Sequence, residues 1–154
     1  MILAIDPGLA NTGWAVLEEN KLVKCGVLKT KVVDSSAKRL GQIYEEIERL
    51  IKKYKVEVVA LETLYFAKNA KSAIAVSEAI GVIKLCADRC GLEVFGYTPL
   101  QVKMALVGYG RAEKEQVEIM VRNLLGIEGS ITPSHASDAV AVGLTHLATC
   151  RFKV

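Results

Sequence analysis

The chain has 154 residues, 51% of them hydrophobic, with a formal net charge of +3, three prolines and four cysteines that form no Cys-x-x-Cys pair. That length fits a single domain over 1–154, and the composition excludes a disordered chain, a disulfide framework and a zinc ribbon. No uncharged apolar run is long enough to cross a membrane and no basic-then-apolar leader opens the chain, so a reduced, cytoplasmic protein with no membrane partner is expected.

Residues 1–5 read as an uninterrupted apolar strand, buried on both faces. Residues 12–18 and 22–28 are also strand-like, and "EENK" between them reads as a hairpin turn. Residues 37–54 carry an apolar helical stripe through Leu40, Ile43, Tyr44, Ile47, Leu50, Ile51 and Tyr54. "VEVVALE", 56–62, is a second buried strand. Residues 70–90 predict a long helix that is apolar on most sides, which requires cover from the core and from a partner subunit. A strand follows at 92–97, then a helix over 99–106 opened by Pro99. After the glycine loop "VGYGRA" come an amphipathic helix over 113–125 and a last helix over 134–149. Three leading strands followed by alternating elements predict an α/β fold with a mixed sheet of five strands and helices packed on it.

The first buried strand ends in Asp6 and the later one in Glu62. Were these strands parallel neighbours, both carboxylates would emerge at one edge of the sheet, where sites form in open α/β folds. Asp138 is read in the first turn of the last helix, and His135, three residues earlier, shares its face. Each group alone has an ordinary role: strand-end acids form turns, and an acid near a helix start favours the dipole. His146, on the apolar face, reads as a core histidine. Together, three carboxylates in one cleft need a counter-charge, which oxygen-seeking divalent cations supply. Two magnesium ions at such a site stabilise both attacking and leaving oxygens in phosphodiester hydrolysis.

The segments "IDPGLANTGWAV", "ALETLYFAKNAKSA", "PLQVKMALVGYGRAEKEQV" and "SHASDAVAVGLTH" occur in an order that resembles the RuvC-type Holliday-junction resolvases, of the ribonuclease-H-like fold. The resemblance implies helices on both sheet faces and a homodimeric, metal-dependent endonuclease that cuts four-way DNA junctions at two symmetric strands in recombination and repair. It also implies delivery by a branch-migration helicase complex. It assigns Asp6, Glu62, His135 and Asp138 as metal ligands for two Mg2+, with Mn2+ as a substitute. At the His135 position many members carry Asp, so this site has a formal charge of −3 rather than −4.

"TLYFAKNAKS" places Tyr65 and Phe66 beside Lys68 and Lys71, a pattern of aromatics and cations that stacks on unpaired bases. Tyr65 matches the family's aromatic wedge at the junction centre. Lys103, Arg111 and Lys114 sit in or beside a glycine-flanked basic loop suited to phosphate. Lys114 is expected to be catalytic, holding the scissile phosphate. Rival readings are a related nuclease acting on RNA or other branched DNA, an actin-like phosphotransferase sharing the "DPG…TG" turn, and a non-catalytic nucleic-acid module.

Overall fold

A computed structural model of the chain describes residues 1–63 and 70–151. Five strands run in chain order as β1 Ile2–Asp6, β2 Asn11–Glu18, β3 Lys21–Lys29, β4 Val58–Glu62 and β5 Glu93–Tyr97. The helices are α1 Ser36–Tyr54, α2 Ala70–Arg89, α3 Pro99–Val107, α4 Lys114–Leu125 and α5 Ser134–Arg151. The expected elements all form, with boundaries shifted by one or two residues. The sheet order is β3-β2-β1-β4-β5. β1, β2 and β3 pair antiparallel in sequence, while β1–β4 and β4–β5 pair parallel. The sheet is therefore mixed.

Strand alternation divides the core in two. Leu3, Ile5, Trp14, Val16, Val59 and Leu61 project to the face covered by α1 and α2, meeting Ile43, Ile47, Leu50 and Ile83. Each fully buried Leu or Ile there contributes about 2 kcal/mol of transfer free energy. The opposite face is lined by Ala4, Ala15 and Ala60, against α3, α4 and α5. Small side chains on that face let α5 lie close. A Cβ added at Gly143 would strike Leu17, and would come within 3.0 Å of the Ala4 Cβ.

Local sequence fixes the helix ends. Ser35 accepts from the Lys38 amide at the start of α1, at 3.3 Å. Thr98 and Gln101 form a reciprocal capping box ahead of Pro99 at the start of α3. Gly91 and Gly108 follow α2 and α3 at φ 73° and 76°, where a side chain would be strained. Cys25, Cys86, Cys90 and Cys150 are free thiols. His146 is buried with its Nδ1 2.8 Å from the Tyr97 hydroxyl, as a core histidine requires.

Candidate active site

Because side chains alternate along a strand, Asp6 shares the face of Ile2 and Ala4, and Glu62 that of Val58 and Ala60. Parallel pairing of β1 with β4, in register from Ile2–Val58 to Ile5–Leu61, brings both acids to the same sheet edge. This is the α5 side, so the start of α5 meets them. His135 Nδ1 lies 2.7 Å from Asp6 Oδ2, and the ring hydrogen-bonds to that carboxylate. Ligand atoms of Asp6, His135 and Asp138 all lie within 4.8 Å of one another. Glu62 stands beside this cluster, near enough that the Asp6 carboxylate raises its pKa.

Asp138 is the fifth residue of α5, and no acid occupies the first turn of that helix. The expected first-turn placement is therefore corrected by one position. The dipole effect fades beyond the first turn, so helix pairing alone does not explain this acid.

Gly13 makes the approach possible. It pairs with Asp6 across β1–β2. A Cβ at Gly13 would fall on the His135 carbonyl and lie 3.0 Å from the His135 Cβ. The bare backbone lets the first turn of α5 rest on the strand edge. A glycine inside an apolar strand, paired opposite a strand-end acid, is the sequence signal for this contact.

Lys114 opens α4, where a cation opposes the helix dipole. Its Nζ instead donates to Asp138 Oδ2 at 2.7 Å. A cavity of about 300 Å3 lies beside the cluster, lined by Glu62, Lys103, Lys114 and Asp138 with Val102 and Val117. Two cations and two acids thus face one space. Arg111 is exposed in the α3–α4 loop and does not line this cavity. Tyr65, Phe66 and Lys68 lie outside the described residues, as does the side chain of Lys71.

Burial, and next to it the neighbouring Asp6 carboxylate, push the Glu62 carboxyl from 4.5 up to about 8. Burial also pushes Asp6 up, against the hydrogen bonds from His135 and Glu62. Partly buried acids whose pKa values are both raised disfavour full ionisation together, and a multivalent cation would relieve that. Three donors of carboxylate and imidazole type within reach of one point, with a fourth carboxyl alongside, match the oxygen and nitrogen preference of divalent cations.

A pH effect follows. Folded Glu62 keeps a proton that the unfolded chain releases above 4.5, so stability is lost as pH rises from about 4.5 through about 8. The metal-free protein is expected to melt about 7–14 °C lower at pH 8.5 than at pH 5.5 through this group. Millimolar magnesium should abolish most of that loss, and Glu62→Gln should flatten the profile. Melting curves across pH, with and without the cation, check it; a metal-free profile identical for wild type and Glu62→Gln would refute it.

The family profile described as crossover junction endodeoxyribonuclease RuvC matches residues 2–146. A crossover junction endodeoxyribonuclease RuvC of Natranaerobius thermophilus is 41% identical, over 99% of this chain and 98% of that protein. One from a Roseiflexus species is 45% identical over 94% and 88%. Among solved structures, T. thermophilus RuvC in complex with a Holliday junction substrate superposes with a TM-score of 0.91 at 35% identity, over 97% of this chain and 94% of that one. The yeast mitochondrial Holliday junction resolvase shares the fold at a TM-score of 0.70 and 12% identity, covering 97% of this chain and 77% of that one. Among the described residues no helix is long and apolar enough to cross a membrane.

Proposed function

The chain belongs to the RuvC family of crossover junction endodeoxyribonucleases, with the ribonuclease-H-like fold, and from this we propose that it resolves Holliday junctions by paired, symmetric, metal-dependent cuts. The observation that carries the reading is the convergence of Asp6, His135 and Asp138 from distant parts of the chain, beside a cavity holding Lys103 and Lys114. Asp6, His135 and Asp138, with Glu62, would hold Mg2+, or Mn2+ in its place. Bound there, the cations would activate water and neutralise charge on the phosphate being cut.

The remaining work belongs to the side chains. Asp6 fixes the ring of His135 through Nδ1. Lys114, held by Asp138, is positioned to meet the developing charge on the phosphate, and Lys103 binds the backbone beside it. Arg111 would contact DNA from its exposed loop. Tyr65 and Phe66 would stack on unpaired bases at the junction centre, with Lys68 and Lys71 on neighbouring phosphates.

A junction has two-fold symmetry, and a two-fold dimer supplies two equal sites. Support for a homodimer comes from α2, where Ile74 and Leu85 are 60% and 52% exposed. Junction delivery by a branch-migration helicase is compatible with this scheme. The whole chain, 1–154, would act as one nuclease domain.

One panel tests the proposal: a mobile four-way junction, a linear duplex and an RNA–DNA hybrid, each incubated with magnesium or manganese. Two symmetric cuts in the junction alone are expected, and Tyr65→Ala should cut at least tenfold more slowly with unchanged cation binding. Preferential cutting of the hybrid would replace this reading with a ribonuclease one.

A further inference from the structure

A second groove lies against the catalytic cluster and plays no part in the scheme above. It has a volume of about 360 Å3, and its walls include Gly8, Leu9, Asn11, Arg39, Val76 and His135. No carboxylate lines it, although His135, one of its walls, hydrogen-bonds to Asp6. Its cation is Arg39, on α1. Arg39 Nε donates to Thr30 Oγ1 at 2.8 Å. Thr30 in turn donates from Oγ1 to the Leu9 carbonyl, at 2.6 Å, and from its amide to the Ala10 carbonyl, at 3.0 Å. The guanidinium is thereby tied to the loop that follows Asp6, and among the described residues both of its Nη groups remain as donors. Among the described residues Arg39 has no carboxylate partner.

A charged side chain held by a relay, facing an acid-free groove with apolar walls, is built for a ligand that is anionic at one point and apolar beside it. A planar guanidinium with both Nη groups available suits phosphate in particular. We propose that this groove seats the nucleotide adjoining the one at the cut, with Arg39 on its phosphate and Leu9 and Val76 against its sugar. The inference rests on the nuclease reading. It gives the cut strand anchors in two separate cavities, Lys103 and Lys114 in one and Arg39 in the other. The loop after Asp6 then couples phosphate binding to the position of that acid.

The test is DNA binding in chelator, where no cut is made, over a salt series, with melting temperatures measured in parallel. Arg39→Gln is expected to lower affinity about tenfold at physiological salt and to reduce the slope of log affinity against log salt by about one. Arg39→Lys should keep the slope. Junctions carrying one uncharged methylphosphonate, placed at each linkage within three nucleotides of the mapped cut, locate the contact. One such linkage should weaken the unaltered protein about tenfold and Arg39→Gln less than twofold. The methylphosphonate series on the unaltered protein and Arg39→Lys carries the test should Arg39→Gln melt early. An unchanged slope in a folded Arg39→Gln, or no linkage whose neutralisation weakens the unaltered protein, overturns the proposal. Equal affinity of the unaltered protein for junction and duplex would instead strike the junction reading, and the slope change would still report Arg39.

Discussion

Asp6→Asn is expected to abolish junction cutting, by a factor of about 1,000 or more, while leaving the metal-free protein at least as stable as wild type. The two effects have one cause. Asp6 is held in a partly buried position where its own charge is disfavoured, next to Glu62 and near Asp138. Asn keeps the shape and can still accept from His135 Nδ1. It removes a carboxylate from the cluster, and with it much of the affinity for divalent cations. It also removes the neighbour that helps raise Glu62, so the loss of stability between about pH 4.5 and about pH 8 should flatten. Cleavage assays, cation titration by calorimetry and melting curves at two pH values measure all three. A variant that cuts at a tenth of the wild-type rate or faster would remove Asp6 from the reaction. One that melts well below wild type would show that the acid serves the fold instead.

Gly13→Ala is expected to lower the melting temperature by about 6–10 °C and to weaken cation binding more than tenfold, although Gly13 carries no ligand atom. The added methyl would fall on the His135 carbonyl, and backbone on both sides leaves little room to yield. Overpacking of this kind costs about 1–3 kcal/mol, at times more. Relief requires the first turn of α5 to lift away from β2, which separates His135 and Asp138 from Asp6. Gly41→Ala is the control. It sits on α1 with open space around its Cβ position, so the same chemical change should leave the site intact. Wild-type stability and cation affinity in Gly13→Ala would show that close contact between α5 and β2 does not build the site.

The sequence by itself determined the elements and the kinds of chemistry available. Apolar runs ending in Asp6 and Glu62 declared two buried strands with acids at their tips, because a short β-branched and apolar run fits a strand buried on both faces. The stripe from Leu40 to Tyr54 declared α1, since residues three and four apart share a face. Even the small face of the sheet is written in "ILAID" and "VVALE", where alanine alternates with larger residues on the way to each acid.

Only the tertiary structure decided which groups meet. That β1 and β4 are parallel neighbours is a property of pairing, and neither strand states it alone. The seating of α5 over Gly13 joins positions more than a hundred residues apart, and with it come the His135–Asp6 and Lys114–Asp138 contacts. Arg39 reads in sequence as one of several charges on the exposed face of a helix. It becomes part of a groove only because Thr30 binds both it and the loop after Asp6. Local interactions depend on spacing along the chain, which a sequence displays. A site depends on distances across it, which exist only once burial of the core has chosen one arrangement of the elements.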